Sequence, residues 1–378
     1  MVKALFVFGT RPEAIKLCPL ILHLQDRRDY FDVRTVVTAQ HRHMLDQVLT
    51  AFRVTPDYDL NLMTPGQTLA AASSRMLAAL EPVYAEVRPD IVYVQGDTTT
   101  TLCGALSAFY SRIPIGHVEA GLRTGDMAQP FPEEMNRVLT GRLSALHFAA
   151  TNGARDNLVG EGVLPQSIHV TGNTGIDAVL HVRDRLDNGG LPRTAWDFLT
   201  PAKPLILVTA HRRESFGEGF ENICRAVRRI AARGDVQVVY PVHRNPNVQG
   251  PVHRHLADVP GIHLIEPLDY VPFVDLMRRA TILLTDSGGV QEEGPSLGKP
   301  IIVMREKTER PEAVESGTVR LAGTDEDRIV AEVSRLLDDP AARDAMSRIH
   351  NPYGDGHASQ RIADATLAYF GHRGTLAA

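Results

Sequence analysis

The chain contains little cysteine and no excess of charge of either sign. Three cysteines stand far apart among 378 residues and form no C-x-x-C pair, which is typical of a reduced, cytoplasmic protein. The 40 basic and 45 acidic residues give a net charge of −5, so nothing indicates nucleic acid or an anionic membrane as a general partner. The chain begins with an apolar segment that is too short for a signal peptide or a membrane span.

Signature motifs of several enzyme classes are missing as well. No G-x-G-x-x-G fingerprint follows a predicted strand, which argues against a bound nicotinamide, and no G-x-S-x-G elbow appears. Residues 294–299 resemble a P-loop, but the segment is one residue short, and Pro300 replaces the Ser or Thr that would hold magnesium. No spacing of His, Asp, Glu and Cys is typical of a metal site. We therefore expect neither a metal nor an organic cofactor.

Short apolar runs rich in Val and Ile alternate with helix-length amphipathic segments along the whole chain. This alternation predicts an α/β fold whose parallel sheets are covered by helices on both faces. A chain of 378 residues suits two domains of ordinary size. The predicted strands cover residues 4–8, 33–38, 91–95, 115–118, 146–149, 168–171, 205–208, 236–240, 262–265, 282–285 and 301–304.

The strand series is interrupted at residues 187–192 and again at 200–204, where Gly, Pro and polar residues cluster. We place a domain change near this interruption, and we expect the chain to cross between domains at 172–174. The prediction is two Rossmann-like domains. Residues 1–172 form the N-terminal domain, which a C-terminal helix at 358–378 completes, and residues 173–357 form the C-terminal domain.

Polar and charged residues directly follow many of the predicted strands. Ligands of open parallel sheets bind outside the carboxyl ends of the strands, so two such sheets facing each other would gather these residues in a central cleft. Loops are polar in general, but that explanation does not account for the repeated Arg, His and Glu. The segments are 9–13, 40–42, 96–99, 119–123, 211–214, 243–245 and 286–289.

The segment 285–293, with the sequence TDSGGVQEE, predicts an anion cradle. It follows an apolar strand and opens a helix, so backbone N–H groups and the positive helix end point at one spot. Gly288 and Gly289 let phosphate oxygens approach the backbone closely. Glu293, about one turn further on, is placed to accept hydrogen bonds from hydroxyl groups of the ligand that carries the phosphate. The alternative is an ordinary helix start with Ser287 as N-cap and a glycine pair in the turn.

Three acids are candidates for acid–base chemistry. Asp97 heads a predicted helix, and its alternative role is to cap that helix. Glu119 ends an apolar strand, and its alternative role is an ion pair with Arg123. Glu133 follows Pro132 at a predicted helix start, where a negative charge also complements the helix dipole.

Two basic side chains are candidates for binding an anion. Arg11 lies in the turn after the first strand, where its guanidinium group is suited to a bidentate grip on a diphosphate or a carboxylate. The alternative is that Arg11 is a surface charge. His211 precedes two arginines after a predicted strand, and it either donates to a phosphate or satisfies a loop carbonyl.

Together these motifs resemble those of the non-hydrolysing UDP-N-acetylglucosamine 2-epimerases of bacteria. The motifs occur in order over nearly the full length, which makes the resemblance far more specific than any one of them. The matching segments are 8–16, 96–100, 117–123, 131–134, 285–293, 308–312 and 351–356.

The resemblance implies a GT-B type fold, a homodimer and a UDP-sugar substrate. The family residues around the diphosphate and sugar match Arg11, Lys16, Asp97, Glu119, His211, Ser287, Gly288, Gly289 and Arg310. The family residues that take part in the reaction match Asp97, Glu119, Glu133 and His211. The resemblance also places Phe273 against the uracil and Glu293 at the ribose hydroxyls. Leu268 stands where many relatives have a polar residue near the uracil, so only a backbone contact is expected there.

The implied activity is the reversible epimerisation of UDP-N-acetylglucosamine to UDP-N-acetylmannosamine at C2, which supplies N-acetylmannosamine for surface polysaccharides. The C2 proton of the sugar is not next to a carbonyl group, so direct abstraction at neutral pH is not feasible. Loss of UDP from C1 instead generates oxocarbenium character, which acidifies the C2–H bond. Carboxylates can stabilise that cation and remove the proton, giving 2-acetamidoglucal and UDP. UDP then adds again after protonation on the other face.

Three alternatives stay open on the sequence alone. A GT-B nucleotide-sugar glycosyltransferase explains the anion cradle equally well but does not need three acids at the sugar. The second alternative is a 2-epimerase of a modified UDP-sugar, such as a 2,3-diacetamido uronic acid, and the third is a UDP-sugar sensor. Some family members bind a second substrate molecule as an activator near the segment matching 40–42. His43 and Gly66 differ from the pattern of that site, which argues against activation here.

Overall fold

The computed structural model describes residues 1–38, 42–64, 66–308 and 310–371, without the side chains of residues 42 and 43. The chain divides into two compact units. One comprises Met1–Ala178 with the C-terminal segment that starts at Gly354, and the other comprises Val179–Tyr353. Three parts of the predictions lie outside the described residues: positions 40–41, position 309, and residues 372–378 of the predicted C-terminal helix.

Seven parallel strands form the sheet of the first unit. They are β1 (Val2–Phe8), β2 (Phe31–Val37), β3 (Tyr58–Asp59), β4 (Ile91–Gln95), β5 (Ile115–Ala120), β6 (Leu146–Ala149) and β7 (Ile168–Val170). Their order is β3-β2-β1-β4-β5-β6-β7, which is a doubly wound topology. The helices that follow these strands are α1 (Arg11–Asp26), α2 (Arg42–Phe52), α3 (Leu69–Val87), α4 (Thr99–Tyr110), α5 (Glu133–Leu143), α6 (Asn152–Gly160) and α7 (Thr174–Asp187).

The central strands of this sheet are buried on both faces, which is why they read as continuous apolar runs. On one face, Val7 of β1 and Val94 of β4 pack in a buried cluster with Tyr84 of α3. On the sheet itself, the rings of Phe6 and Tyr93 stack with centroids 4.8 Å apart. With helices on both sides, β1 and β4 are held rigidly, and so are the turns that follow them.

Six parallel strands form the sheet of the second unit. They are β8 (Leu205–Thr209), β9 (Gln237–Pro241), β10 (Ile262–Ile265), β11 (Ile282–Thr285), β12 (Ile301–Val303) and β13 (Val319–Leu321), in the order β10-β9-β8-β11-β12-β13. The helices are α8 (Glu218–Ala231), α9 (Pro246–Leu256), α10 (Tyr270–Arg279), α11 (Gly288–Glu293), α12 (Pro311–Ser316), α13 (Glu326–Asp338) and α14 (Pro340–Ser347). The core contains fully buried Val and Ile side chains of β8, β9 and β11 together with Phe220 of α8.

The last described helix, α15 (Ala358–Tyr369), packs within the first unit. The Asp177 carboxylate of α7 accepts the backbone N–H groups of Ala358 and Ser359 at 3.3 and 2.8 Å, so a side chain from elsewhere in the chain caps the start of α15. Near its end, the hydroxyl of Thr366 lies 2.5 Å from that of the buried Tyr93. None of the helices in the described ranges combines the length and apolar character that a bilayer span requires.

The structure confirms the predicted fold class of two Rossmann-like α/β domains. All eleven predicted strands are present, with ends shifted by at most two residues. The prediction missed β3 and β13, because a strand of two residues and the three-residue V-R-L strand offer no apolar run. The domain boundaries and the central cleft stay predictions.

Candidate active site

Each sheet has one switch point, where the strand order reverses. It lies between β1 and β4 in the first unit and between β8 and β11 in the second. Ligands of doubly wound sheets bind outside the carboxyl ends of the strands at such points. The turns after β1 and β4 carry Arg11 and Asp97, while those after β8 and β11 carry His211 and the segment 286–289. Within each unit, the fold therefore brings predicted site residues to the switch point.

Glu119 lies in an irregular stretch of β5, where the register with β6 shifts between Val118 and Ala120. Its backbone is in the left-handed region with φ of 64°, which is rare for a residue with a side chain. The two carboxylate oxygens accept hydrogen bonds from the Nζ of Lys16 on α1 and from the Nε2 of Gln95 on β4. The fold thus fixes both the backbone and the carboxylate of Glu119.

The alternative partner proposed for Glu119 is wrong. Arg123 instead forms a bidentate ion pair with Glu161, with N–O distances of 2.6 and 3.0 Å. Because the guanidinium of Arg123 is occupied in this way, Glu119 is left with Lys16 as its cationic partner.

Asp97 lies in the turn after β4, and its predicted alternative role as a helix cap is also wrong. Thr98 caps α4, since its Oγ1 accepts the N–H of Thr101 at 3.1 Å. The Asp97 carboxylate instead lies 2.5 Å from Nη2 of Arg137 on α5, and its backbone carbonyl accepts the side-chain amide of Asn136 at 2.9 Å. Helix α5 therefore holds Asp97 at the switch point.

Glu133 is the first residue of α5, half-buried and preceded by Pro132. The neighbouring Glu134 is the buried acid of the pair, and it accepts the backbone N–H groups of Thr124 and Gly125 at 3.0 Å each. The start of α5 is thereby tied to the loop that leads out of β5. Glu133 lies where a charge complements the helix dipole, as expected, and its catalytic role stays a prediction.

Glu13 is a buried acid that the sequence reasoning missed. It accepts the backbone N–H groups of Gly9 and Thr10 at 3.0 and 2.7 Å and the hydroxyl of Thr98 at 2.7 Å. Burial raises the pKa of the Glu13 carboxyl group, and these hydrogen bonds oppose the shift. Glu13 ties the turn that carries Arg11 to the turn that carries Asp97. The spacing of Thr10 and Glu13 is that of a capping box, so a signal was present.

His117 is fully buried on β5, and its Nε2 lies 2.7 Å from the carbonyl oxygen of Gly96. Burial lowers the pKa of His117 to about 3, so the ring is neutral at physiological pH and its Nε2–H donates to that carbonyl. His117 therefore helps to fix the turn after β4 and carries no charge there.

In the second unit, two guanidinium groups lie over the glycine turn that starts α11. A Cβ placed on Gly288 would lie 3.5 Å from Nη2 of Arg310 and 3.7 Å from Nη2 of Arg212. Ser287 occupies the N-cap position but makes no side-chain capping bond, so its predicted alternative as a conventional side-chain cap is wrong. A Cβ on Gly289 would meet nothing closer than the Ser287 Oγ at 3.9 Å. The arrangement suits an anion at the glycine backbone, and Arg212 is a candidate that the sequence reasoning did not single out.

Arg310 is held over this turn by its neighbours. Its Nε donates to the buried carboxylate of Glu292, and its backbone N–H donates to the Thr308 hydroxyl at 3.1 Å. The carbonyl oxygen of Glu292 accepts the side-chain amide of Asn351 at 2.7 Å. The segments around residues 308 and 351, which are distant in sequence, thus both support α11.

His211 is oriented by Asp286, a fully buried carboxylate directly before Ser287. Oδ2 of Asp286 accepts the backbone N–H groups of His211 and Arg212 at 2.6 and 2.7 Å, and Oδ1 lies 3.3 Å from Nδ1 of His211. Burial lowers the pKa of His211, while the charge of Asp286 opposes the shift. The ring of His243 stacks on that of His211 with centroids 5.4 Å apart. With Nδ1 directed at Asp286, the Nε2 of His211 is the nitrogen left for a ligand.

The residues predicted for the nucleoside lie on and beside α10 and α11. Leu268 and Phe273 are both half-buried, in the loop before α10 and on α10 itself. Glu293 ends α11, and its charge adds to burial in raising the pKa of Tyr270 at the start of α10. The three predicted residues therefore come from adjoining parts of the second unit.

Within the described ranges, no group of three or more His, Cys, Asp and Glu residues is arranged to hold a metal ion.

Comparison with known proteins identifies the family. The family model of UDP-N-acetylglucosamine 2-epimerase matches residues 23–367. The UDP-N-acetylglucosamine 2-epimerase of Salmonella typhimurium is 57% identical over 372 residues, covering 97% of this chain and 99% of the relative. That of Escherichia coli K12 is 57% identical over 368 residues, covering 96% and 98%. A crystal structure of UDP-GlcNAc 2-epimerase from Neisseria meningitidis bound to UDP-GlcNAc matches with a TM-score of 0.88 at 46% identity, covering 97% of this chain and 100% of that one.

These matches confirm the resemblance that the motifs indicated. The family match covers most of the chain, and the identity to named members extends over almost its full length. The chain belongs to the UDP-N-acetylglucosamine 2-epimerase family.

Proposed function

We propose that the protein interconverts UDP-N-acetylglucosamine and UDP-N-acetylmannosamine by reversible epimerisation at C2. The observation that carries this proposal is the carboxylate of Glu119, which is held by Lys16 and Gln95 at the first switch point. A reaction that moves a proton at a sugar carbon needs a positioned general acid–base group, and a rigidly held carboxylate is one such group. The names of the relatives in the family support the choice of substrate.

In the second unit, we assign the UDP part of the substrate to the surroundings of α11. The diphosphate binds at Ser287, Gly288 and Gly289, where the guanidinium groups of Arg212 and Arg310 neutralise its charge. We place the uracil against Phe273, with a backbone contact at Leu268, and the ribose hydroxyls at Glu293. In the imidazolium form, which the charges of Asp286 and the diphosphate favour, His211 donates Nδ1–H to Asp286 and Nε2–H to a phosphate oxygen, which makes UDP a better leaving group.

In the first unit, we assign the chemistry at the sugar to Asp97, Glu119 and Glu133. The bond from C1 to the UDP oxygen breaks, and UDP leaves with the electron pair. A carboxylate then takes the C2 proton, and the electrons of the C2–H bond form the double bond of 2-acetamidoglucal. In the return step, a proton is delivered to the opposite face of C2, and the UDP oxygen forms a new bond to C1. Lys16 and Arg11 stabilise the negative charge of UDP as it leaves and returns.

We also propose that the protein works in the cytoplasm as a homodimer. Its three cysteines are free and buried, as suits a reducing compartment. The homodimer follows from the family resemblance alone. Light scattering coupled to gel filtration tests it, and the expected result is a mass of twice 41.5 kDa.

The direct test of the proposed function is incubation of the purified protein with UDP-N-acetylglucosamine alone, followed by NMR of the sugar anomeric region. We expect UDP-N-acetylmannosamine to appear without an acceptor and to reach equilibrium from either side. A glycosyltransferase would leave the substrate unchanged until an acceptor is added. A 2-epimerase of a modified sugar would turn over the diacetamido uronic acid derivative and leave this substrate unchanged.

A further inference from the structure

The two oxygens of the Glu119 carboxylate are held by two donors of different character. Oε1 accepts from the ammonium group of Lys16, and Oε2 accepts from the side-chain amide of Gln95. The Lys16 side chain is 18% exposed, whereas Gln95 is only 3% exposed. The ammonium group of Lys16 can therefore also contact an arriving anion, while the amide of Gln95 is buried and directed at Glu119.

Gln95 is itself fixed by the end of β4. Its backbone carbonyl accepts the hydroxyl of Thr101 at 2.6 Å, and it lies beside Val118 in the register of β4 with β5. The next residue, Gly96, donates its N–H to the carbonyl of Val118 at 2.9 Å. The amide of Gln95 is thus anchored against the part of β5 where Glu119 departs from regular strand geometry.

Such an anchor is needed because the backbone of Glu119 is strained. A residue with a side chain in the left-handed region is destabilised by its backbone conformation, which persists only where its surroundings hold it there. Lys16 is proposed to serve the substrate anion as well, and a lysine ammonium on a flexible stem is a weak means of orienting a carboxylate. An amide donor has no charge, so it directs the carboxylate without neutralising it.

We propose that Gln95 is a positioning residue that holds the Glu119 carboxylate in its reactive orientation throughout the reaction cycle. This inference rests on the proposed role of Glu119 in the chemistry at the sugar. It also assigns a task to a residue that lies directly before the G-D-T-T-T motif and that no sequence pattern singled out.

Two variants separate positioning from a structural role. Gln95→Met keeps the length of the side chain and removes the donor, whereas Gln95→His keeps an N–H group at a similar reach. For Gln95→Met we expect kcat to fall about tenfold to 100-fold, the scale of a slightly misplaced catalytic group, with KM within about threefold. Gln95→His should recover kcat to within about tenfold of the wild type. If Gln95 had only a structural role, kcat would not depend on whether the side chain at this position carries an N–H donor.

Gln237 in the second unit provides the matched control. It is also a buried strand glutamine, and its amide donates to the carbonyl groups of Thr200 and Lys203 at 2.8 Å each. Gln237→Met should lower the unfolding temperature and leave kcat unchanged. If Gln95→Met fails to fold, Gln95→Leu takes its place, because it is also an apolar side chain without a donor, and the same loss of kcat is expected.

Wild-type kcat in Gln95→Met overturns the inference, and so does a Gln95→His variant as slow as Gln95→Met. Glu119→Gln shows which proposal has failed. If Glu119→Gln is inactive while Gln95→Met is unaffected, only the role of Gln95 is lost. If Glu119→Gln turns over normally, the proposed role of Glu119 is wrong, and the inference about Gln95 falls with it.

Discussion

The guanidinium group of Arg137 lies 2.5 Å from the carboxylate of Asp97, and the two side chains differ sharply in exposure. Arg137 is 8% exposed and Asp97 is 26% exposed. Arg137 also forms an ion pair with the buried Glu134 at 3.1 Å. A buried cation therefore supports the inner side of Asp97, while the outer side of the carboxylate stays accessible to a ligand.

We expect Arg137→Met to lower kcat at least about tenfold, because Asp97 loses the group that orients it. The affinity for UDP should stay within about threefold, since Arg137 is not among the residues assigned to UDP. Stability should also fall, because the variant leaves Glu134 buried without its cation. Steady-state kinetics and UDP calorimetry measure the two functional effects.

The control for Arg137→Met is Arg123→Met in the same unit. The Arg123 side chain is 9% exposed, close to the 8% of Arg137, and it also forms an ion pair, here with Glu161. This control should lower the unfolding temperature without a comparable loss of kcat. Equal kcat losses in the two variants would mean that Arg137 acts only through stability.

Removing the charge of each proposed catalytic acid should damage turnover more than nucleotide binding. For Asp97→Asn, Glu119→Gln and Glu133→Gln we expect kcat to fall at least ~10²-fold, the scale for a positioned acid or base. UDP affinity should stay within about tenfold of the wild type. A variant that keeps wild-type turnover would assign its residue a structural role only.

Gly288→Ala should weaken UDP binding without unfolding the protein. The added methyl group meets Arg310 at an ordinary contact distance of 3.5 Å, so the fold tolerates it. It occupies the space over the backbone that a phosphate oxygen needs, and we expect UDP affinity to fall at least about tenfold. Calorimetry with UDP gives the affinity, and thermal unfolding checks the fold.

Gly250→Ala is the matched control for the glycine turn. Gly250 lies on α9 in the same unit, where a Cβ would meet nothing within 4 Å. The variant should keep its UDP affinity, and its stability should change by less than about 1 kcal/mol, because the helix preference of alanine is opposed by crowding against the ring of Pro251. Unchanged UDP affinity in Gly288→Ala would place the diphosphate elsewhere.

Because the ring of His117 is buried and neutral, we expect it to make the folded protein less stable at acid pH. Its pKa is lowered to about 3 in the folded state, from an ordinary value of about 6.5 in the unfolded chain. As the pH falls below about 6.5, the unfolded chain therefore gains a proton that the folded protein excludes. Above that pH, His117 makes its whole contribution to the free energy of unfolding. As the pH falls towards 3, this contribution decreases by about 1.4 kcal/mol per pH unit.

His117→Gln should remove this slope and keep a donor for the carbonyl of Gly96. The measurement is urea unfolding of both proteins at pH 7, 5.5 and 4.5. The difference in unfolding free energy between wild type and variant should shift by about 1.4 kcal/mol per pH unit between the two lower values. A difference that does not change with pH would show that His117 is protonated in the folded protein.

The sequence predicted the strands and the turns that follow them better than it predicted the partners of the side chains in those turns. Buried parallel strands read as apolar runs, so the strands and the turns after them could be predicted. The partners of the acids could not, because they depend on which helices meet in space. Arg137 follows Asp97 by 40 residues, and no spacing pattern links the two. The left-handed backbone of Glu119 also has no signal in the sequence, since glycine is the residue expected there.

We propose above all that the protein breaks the C2–H bond of UDP-N-acetylglucosamine, with the carboxylate of Glu119 held in place for the chemistry. The most direct measurement is incubation with UDP-N-acetylglucosamine in deuterated water, without acceptor or added cofactor, followed by NMR and mass spectrometry of both sugars. We predict UDP-N-acetylmannosamine with deuterium at C2 in both epimers, and little exchange in Glu119→Gln. Absence of both the epimer and C2 deuterium in the wild-type reaction would show that the protein does not break this bond.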